Sequence, residues 1–268
     1  IYSRDEAGRL TAVTDANGNT IGYTYDENGY TGLLTTLTYP GNKQVTYTYD
    51  ELNRLKTVSN WLGQTASYNY DAAGRLTSLT NFNGTTTSYT HDDADRLISI
   101  DSRATDNSVI ASFTYTLDGN GNRVGIDKQI PATSPLPIRN ETADYTHNRI
   151  NSASTASFTH DNEGQLATRE ESGTTTYTFD DAHRLAGIAE VTTETYSYDG
   201  AGNRLKAIRD GVETRYIYDS NGNLLAETDS NNVITRYYIH GAGLLAAVTL
   251  TDDLYCYHYD AIGSTMAI

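Results

Sequence analysis

The chain repeats a short aromatic motif that ends in aspartate. The motif consists of an aromatic residue, a spacer, a second aromatic residue or histidine, and the aspartate, as in Tyr23 to Asp26 and Tyr47 to Asp50. Nine clear copies occur in the 268 residues, and most neighbouring copies lie 19 to 24 residues apart. A period of about 20 residues that contains turn-forming residues is typical of stacked β-hairpins. The repeat therefore predicts an all-β chain.

The unit from Tyr68 to Thr80 shows how one period predicts a hairpin. Tyr68 and Tyr70 are two residues apart, so they share one face of a strand. We expect Asp71 to open a short turn in which its carboxylate accepts hydrogen bonds from nearby backbone amides. Gly74 then supplies the positive φ that closes the bend.

The returning strand of this unit begins with Arg75 and Leu76. Leu76 and Leu79 are three residues apart, which fits neither a strand period nor a sustained helical period, so we expect a β-bulge just after the turn. The far ends of the hairpins carry a second turn signal of the Asn-Gly or Asp-Gly type. Its copies are Asn17-Gly18, Asn83-Gly84, Ser172-Gly173 and Asp210-Gly211. Neighbouring hairpins then pair into one continuous antiparallel sheet.

We assign structural roles in the repeat to the aromatic, aspartate and turn residues of six units. These residues are Tyr23, Tyr25, Asp26, Tyr47, Tyr49, Asp50, Tyr68, Tyr70, Asp71, Gly74, Arg75, Leu76, Tyr196, Tyr198, Asp199, Gly202, Tyr216, Tyr218, Asp219, Tyr257, Tyr259 and Asp260. A residue that recurs at every turn has the same structural role at every turn, so none of the aspartates is predicted to be catalytic. Arginines that follow the turn aspartate by four residues are expected to form ion pairs across the turn and to lie over tyrosine rings.

Composition explains why the tyrosines are expected in the core. Leu, Ile, Val and Phe make up under a fifth of the residues, and the net charge is -15, a combination that is usual for disordered chains. The 22 tyrosines supply the missing apolar surface. The acidic balance argues against a nucleic-acid partner, because phosphate binding depends on positive charge. No apolar run approaches the roughly 20 residues of a membrane-spanning helix.

The domain prediction is a single repeat array over residues 1–268, interrupted by a proline-rich insertion loop at 127–144. Three of the four prolines, Pro131, Pro135 and Pro137, lie in that loop, and proline cannot donate to a central strand ladder. Because the chain begins within a repeat and stops just after one begins, we expect it to be a piece of a longer protein.

The repeat units resemble the YD-repeat family, also called Rhs repeats, whose pattern is Tyr-x-Tyr-Asp-x-x-Gly-Arg-Leu. The variant Asp199-Gly-Ala-Gly-Asn-Arg-Leu205 and the stretch from Tyr237 to Ile268 fit the same family. Members include bacterial Rhs and wall-associated proteins, insecticidal toxin subunits and animal teneurins. Their β-sheet spirals into a hollow shell, and in the toxins that shell encloses a C-terminal effector.

The resemblance implies a non-catalytic scaffold that forms part of such a β-shell. Its partners would be the effector or toxin domain of the same larger protein, or adjacent repeat segments, and the protein would be secreted or exposed on a bacterial cell surface. The alternative is a carbohydrate-binding or cell-adhesion module, because rows of exposed tyrosines can stack on saccharide rings.

Other candidate sites have simpler structural explanations. The segment from Asp118 to Asn122 starts like a calcium-binding loop, but Arg123 and Gln129 replace the glycine and the glutamate that such a loop needs. Cys256 and His258 are neighbours on one strand, and no third group orients them as a nucleophile and base. We therefore predict no enzyme activity, no catalytic residue, no metal site and no cofactor.

Overall fold

The computed structural model describes residues 1–26, 32–131 and 142–268, and every regular element in these ranges is a β-strand. The chain divides into two compact units. The first comprises Ile1–Thr133, Asp219–Ala226 and Thr235–Ile268, and the second comprises Ser134–Tyr218 and Glu227–Ile234. The all-β prediction is confirmed, whereas the single array over 1–268 stays a prediction.

The first unit contains a 12-stranded antiparallel sheet whose strands follow one another in chain order. They are β1 (Tyr2–Arg4), β2 (Leu10–Thr14), β3 (Thr20–Tyr25), β4 (Leu34–Thr38), β5 (Gln44–Tyr49), β6 (Leu55–Ser59), β7 (Thr65–Tyr70), β8 (Leu76–Thr80), β9 (Thr86–His91), β10 (Leu97–Arg103), β11 (Val109–Leu117) and β12 (Arg123–Gln129). This order is the one that tandem hairpins produce, since each strand pairs with its neighbours in sequence.

The second unit repeats the same arrangement. Its strands β13 (Ala143–Thr146), β14 (Arg149–Ala153), β15 (Ala156–His160), β16 (Leu166–Glu170), β17 (Thr174–Phe179), β18 (Leu185–Ala189), β19 (Thr193–Tyr198), β20 (Arg204–Arg209) and β21 (Val212–Tyr218) pair antiparallel in chain order.

The last strands are β22 (Leu224–Thr228), β23 (Ile234–His240), β24 (Leu244–Thr249), β25 (Leu254–Cys256), β26 (His258–Tyr259) and β27 (Thr265–Ala267). In this group β24 pairs antiparallel with β23 and with β25, and β26 pairs with β27.

A β-bulge follows the turn of the repeat, as the leucine spacing predicts. Tyr70 pairs with Leu76, but the next pair joins Asn69 to Ser78, so Thr77 is the extra residue. The same shift occurs beside Tyr25, Tyr49, Leu117, His160, Phe179 and Tyr198. Because the bulge lies at the same place in these repeats, it keeps the corresponding side chains of each repeat on the same face of the sheet.

The two faces of the first sheet differ in chemistry. On β7, Ala66 and Tyr68 are buried while Thr65 and Asn69 on the opposite face are exposed. We call the face that carries Tyr23, Tyr47 and Tyr68 the tyrosine face. The opposite face carries hydroxyl pairs between neighbouring strands, such as Thr48 with Thr57 at 2.6 Å and Ser59 with Thr65 at 2.8 Å. The tyrosine face therefore supplies the core.

One apolar cluster of the first unit lies between β10 and β11. Ile100, Ala111, Phe113 and Tyr115 are buried together, and Met266 packs against them. The rings of Phe113 and Tyr115 are stacked, with their centroids 6.4 Å apart and an interplanar angle of 2°. Aromatic rings thus replace much of the aliphatic core, as the composition indicates.

Strands continue into both ends of the predicted proline-rich insertion. β12 runs to Gln129 and β13 begins at Ala143, and both residues belong to the range 127–144 that was assigned to a loop. Pro135 and Pro137 lie in 132–141, outside the described residues. The insertion loop stays a prediction for that part of the range.

The far-end turns differ in length, and Ser172-Gly173 lies in a three-residue loop between Glu170 and Thr174. Asp210 and Gly211 form a two-residue hairpin turn with φ of 50° and 80°, which is the backbone that Asp-Gly favours. Asn17-Gly18 instead lies in a longer turn, in which the Asp15 amide donates to the Asn19 carbonyl at 3.0 Å. The difference arises because Asp15 precedes Asn17-Gly18 and accepts a hydrogen bond from the Asn17 amide at 2.8 Å.

Replacing Gly74 by valine is expected to lower the free energy of unfolding by about 1–2 kcal/mol. Gly74 has a φ of 87°, and a Cβ there would meet only Arg54 Nη1 at an ordinary 3.6 Å, so conformation rather than crowding carries the cost. Gly74→Asn is the matched control, because Asn53 occupies the corresponding place of its own turn at φ 61°. Urea unfolding of both variants checks this, and equal losses would contradict the turn assignment.

Candidate functional surface: the repeat turns and the tyrosine face

The aspartate of each repeat organises its turn through both carboxylate oxygens. Asp71 Oδ1 accepts hydrogen bonds from the backbone amides of Ala73 at 3.0 Å and Arg75 at 2.9 Å. Its Oδ2 accepts from Arg75 Nε at 2.7 Å. The Asp71 amide donates to the Arg75 carbonyl and the Gly74 amide donates to the Asp71 carbonyl, both at 3.0 Å. The Asp71 carboxylate and two main-chain bonds thus satisfy most polar groups of a five-residue turn.

The predicted ion pairs between the turn aspartate and the arginine four residues later are present. They join Asp5 to Arg9, Asp50 to Arg54, Asp71 to Arg75, Asp92 to Arg96 and Asp180 to Arg184 at 2.6–2.8 Å. Some of these arginines also reach the next turn. Arg75 Nη1 donates to the Asp92 carbonyl at 3.1 Å and to Asp95 Oδ1 at 2.7 Å. Successive hairpins are therefore connected along their turn edge.

Other side chains replace the arginine in some turns. Asn203 and Asn223 donate from Nδ2 to Oδ2 of Asp199 and Asp219 at 2.9 Å and 2.8 Å. Asp260 accepts the backbone amides of Ile262 and Ser264 in the same way, and Gly202 and Gly263 have positive φ. The Asp26 amide donates to the Leu33 carbonyl at 3.0 Å, and residues 27–31 of that turn lie outside the described residues.

The second tyrosine of each motif connects its hairpin to the preceding one. Tyr70 Oη donates to the Leu55 carbonyl at 2.9 Å, and the Arg54 guanidinium lies 4.5 Å from the centroid of the Tyr70 ring. Corresponding phenol bonds join Tyr25 to Leu10, Tyr49 to Leu34, Tyr198 to Leu185, Tyr218 to Arg204 and Tyr259 to Leu244. A hydrogen bond and a cation–π contact therefore fix one repeat on the next.

The first tyrosine of the motif makes a different contact within the first unit, because its phenol reaches main-chain atoms of the C-terminal segments. Tyr47 Oη donates to the His240 carbonyl at 3.2 Å, and Tyr68 Oη accepts from the Ala242 amide at 3.2 Å. The phenols of Tyr23 and Tyr115 accept from the amides of Ser220 and Ala261, each at 3.1 Å. Burial raises the pKa of Tyr68 to about 12, so its phenol is neutral.

An aromatic cluster of the first unit extends this contact. Tyr39, Trp61 and Tyr237 pack edge to face, with centroids 5.1–6.2 Å apart. Tyr39 Oη donates to the Tyr238 carbonyl at 2.9 Å, and Tyr237 Oη donates to the Pro40 carbonyl at 3.2 Å. The repeat motif does not include Tyr39 or Trp61, so motif reasoning missed them. The single tryptophan at a turn position was the available signal.

The remaining predicted repeat residues follow the same scheme with local differences. Tyr196 and Tyr216 are partly buried on strands β19 and β21 of the second unit. The rings of Tyr257 and Tyr259 are stacked, with centroids 6.3 Å apart, and burial raises the pKa of Tyr259 to about 12. The structural roles assigned to the repeat residues stay predictions.

The described residues contain no group of three or more His, Cys, Asp or Glu side chains that could hold a metal ion. The Asp118 carboxylate accepts hydrogen bonds from the amides of Asn120 and Asn122 and from Asn122 Nδ2. The segment from Asp118 to Asn122 therefore forms the same turn as the other repeats. Burial raises the pKa of the Cys256 thiol and lowers that of His258. Both shifts favour the neutral forms, whereas a thiolate nucleophile needs the charged form.

Within the described ranges, no helix has the length and apolar character needed to cross a membrane.

The sequence matches the RHS repeat family at residues 4–30, 30–65, 57–86, 70–107 and 198–234. Together these segments cover more than half of the chain. The chain belongs to the RHS-repeat family. The turn geometry described above accounts for this match, because the aspartate, glycine and arginine of the repeat each make a defined contact in the turn.

Two curated relatives match part of this RHS-repeat chain. The tRNA3(Ser)-specific nuclease WapA of Bacillus spizizenii is 41% identical over 69 residues, and the tRNA nuclease WapA of Bacillus subtilis is 38% identical over 69 residues. Each match covers 25% of this chain and 3% of the relative. The chain thus spans a small fraction of those proteins.

The RHS-repeat chain is also similar in fold to a solved structure, the Tc holotoxin pore of Photorhabdus luminescens. The TM-score is 0.57 at 17% sequence identity, and the match covers 96% of this chain and 17% of that one. At this identity the likeness concerns the fold alone. It fits the predicted fold class, an all-β partial shell of tandem hairpins.

Tyr70→Phe is expected to lower the free energy of unfolding by about 1 kcal/mol, because it removes the hydrogen bond to the Leu55 carbonyl and keeps the ring. Tyr2→Phe is the matched control, since the Tyr2 side chain is 69% exposed. Chemical denaturation gives the two values. A loss at Tyr2 equal to that at Tyr70 would show that the phenol bond between repeats contributes nothing.

The turn carboxylates are expected to make stability fall in acid. Hydrogen bonds from the Arg75 side chain and backbone lower the pKa of Asp71, and Arg96 lowers that of Asp92 in the same way. Unfolded aspartate has a pKa of about 3.9. A lower folded value means that the stabilisation is complete above that pH and is lost as the pH falls through the folded pKa.

Thermal unfolding between about pH 7 and pH 3 tests this expectation, with the melting temperature dropping below about pH 4. The matched variant replaces Asp50, Asp71 and Asp92 by asparagine. Asn60 shows that asparagine can hold such a turn, since its Oδ1 accepts the amides of Leu62 and Gln64. The variant should lose less stability in acid than the unchanged chain, and an identical acid profile would refute the role of these carboxylates.

Proposed function

We propose that the chain is a non-catalytic segment of a β-sheet wall, which encloses or displays a toxin or other effector polypeptide in a larger secreted or surface protein. The proposal rests on the hydrogen bonds that the tyrosine face makes to the backbone of other segments. In the first unit, phenols of successive repeats bond to main-chain amides and carbonyls of the C-terminal segments. These contacts require a backbone and no particular side chain.

A phenol suits this role because it can both donate and accept. Tyr47 donates to a carbonyl, while Tyr68 accepts from an amide. Each ring also buries a large apolar surface beside its polar contact. A face built in this way can cover polypeptide segments of different sequence, which is what a wall around an effector requires.

The links between repeats support a structural role. Many repeats are joined to a neighbour by a phenol bond, an arginine over a ring, or an arginine that reaches the next turn, as with Tyr70, Arg54 and Arg75. Single exposed ion pairs contribute about 0–1 kcal/mol. Repetition along the array makes the sum appreciable, because a repeat protein is stabilised by its nearest-neighbour interfaces.

Family membership and fold support a scaffold role for this chain. Nuclease activity is named for the two WapA relatives, of which the match covers 3%, and the fold neighbour is a toxin pore of which it covers 17%. We infer that the partner is an effector or toxin domain of the same larger protein, or adjacent repeat segments. Secretion or display on a bacterial surface follows from the same inference.

A carbohydrate-binding or adhesion module is the alternative. It needs tyrosine rings whose faces are open to solvent. Tyr145 and Tyr255 are 61% and 48% exposed, but Tyr23 and Tyr68 of the tyrosine face are 8% and 5% exposed. The motif tyrosines of the first unit are thus used for packing, which favours the wall over a saccharide platform.

Limited proteolysis of the larger protein tests the proposal. We expect the effector to be cut on the order of ten times more slowly inside the intact protein than when it is expressed alone, because cleavage requires an opened state. Equal rates would refute enclosure. A glycan array probed with the 268-residue chain is the companion experiment, and saturable binding there would favour the alternative.

A further inference from the structure

Two repeat turns place their arginine one residue later than the others. Asp118 and Asp199 are followed at the fourth position by Asn122 and Asn203, whose amides bond to the aspartates at 2.9 Å. The arginines come fifth, as Arg123 and Arg204. The asparagine therefore takes the place of the guanidinium on the turn carboxylate.

The shifted arginines contact a different tyrosine. The Arg204 guanidinium lies 4.6 Å from the ring centroid of Tyr196, which is the first tyrosine of its own repeat. Arg123 lies 5.1 Å from Tyr115, again the first aromatic position of its own repeat. Arg184, at the usual fourth position, instead lies 4.8 Å from Tyr198, the second tyrosine of the following hairpin.

Arg204 has no carboxylate partner among the described residues. Its Nε is buried and makes no hydrogen bond in the described part of the chain. The ion pairs of the neighbouring strands use other residues, namely Arg209 with Glu194 at 2.9 Å and Arg215 with Glu213 at 2.6 Å. A guanidinium presents five donors in a planar fork, which matches the geometry of a carboxylate. Arg204 thus forms no ion pair in the described part of the chain, although its charge, after the Tyr196 phenol and Arg209, contributes to the lowered pKa of Glu194.

A second arginine stands at the same ring. The Arg209 guanidinium lies 5.9 Å from the centroid of Tyr196, and Glu194 accepts hydrogen bonds from Arg209 Nε and from the Tyr196 phenol. Two guanidinium groups and one carboxylate therefore lie around the Tyr196 ring. In a chain of net charge -15 this is a local excess of positive charge.

We propose that Arg204, stacked on Tyr196 beside Arg209, forms a binding site for a carboxylate side chain of an acidic polypeptide segment. Beside the same ring, the Glu194 carboxylate accepts hydrogen bonds from Arg209 and Tyr196, which is the kind of contact that we propose for Arg204. A saccharide fits less well, because stacking a sugar requires an open ring face and both guanidinium groups compete for that of Tyr196. The site rests on the proposed function, in which the β-sheet wall meets an effector polypeptide.

Fluorescence anisotropy with a labelled deca-glutamate peptide and the 268-residue chain tests the site. Arg204→Gln should weaken binding on the order of tenfold, because it removes the bidentate fork. Arg184→Gln is the matched control. It removes the same charge one repeat earlier, but that guanidinium already pairs with Asp180 at 2.8 Å, so we expect a change within about twofold. Arg204→Lys should be intermediate, since a point charge replaces the fork.

Three results would overturn the proposal: no binding of deca-glutamate, unchanged affinity in Arg204→Gln, or equal weakening by both glutamine variants. A uronate oligosaccharide that binds through Arg204 when deca-glutamate does not would also overturn it. Thermal unfolding of each variant shows whether it is folded, and Arg204→Lys gives a second reading if Arg204→Gln is not. If the effector is protected from proteolysis but deca-glutamate does not bind, the proposed wall function is supported and the Arg204 site is refuted. The two proposals can therefore fail separately.

Discussion

The hydrogen bonds of the turn aspartate are the interaction on which the repeat depends. A hairpin array requires every turn to close after the same number of residues, because a slip of one residue moves each side chain to the opposite face of the sheet. Asp71 prevents such a slip by binding the amides two and four residues ahead and the side chain four residues ahead. Gly74, or Asn53 in a neighbouring turn, supplies the left-handed residue that this closure needs. The bulge at Thr77 then sets the position of the tyrosines.

The two tyrosines of each motif lie on one strand face and make different contacts. The second ring, as in Tyr70, stays near the turn and bonds to the preceding hairpin. The first ring, as in Tyr68, lies deeper and reaches main-chain atoms far away in sequence. This division explains how a chain poor in aliphatic residues builds a core. Each ring brings apolar surface, and its hydroxyl finds a backbone partner, so burial leaves no unsatisfied phenol at these positions.

The sequence predicts the local part of this structure well and the non-local part poorly. The turn at Asp71, the positive φ at Gly74, the bulge after Leu76 and the pairing of Arg75 with Asp71 all involve residues at most a few positions apart, so spacing alone implies them. The cluster of Tyr39, Trp61 and Tyr237 joins segments almost 200 residues apart, and no periodicity encodes it. The partner of each first tyrosine is unpredictable for the same reason. The turn at Asn17-Gly18 is also longer than an Asn-Gly pair predicts, because the Asp15 carboxylate accepts a hydrogen bond from the Asn17 amide.

A uniform repeat also makes its exceptions interpretable. An asparagine at the fourth turn position is not enough to create an anion site, since Asn223 is followed by Leu224 and leaves no cation behind. An arginine at the fourth position is not enough either, since Arg184 is neutralised by Asp180. An asparagine at the fourth position followed by an arginine at the fifth, as in Asn203 and Arg204 or Asn122 and Arg123, satisfies the aspartate with an amide and places the guanidinium over a ring. A shift of one residue within the repeated turn therefore moves the guanidinium from the turn carboxylate to a tyrosine ring, where it becomes the central group of the proposed anion site.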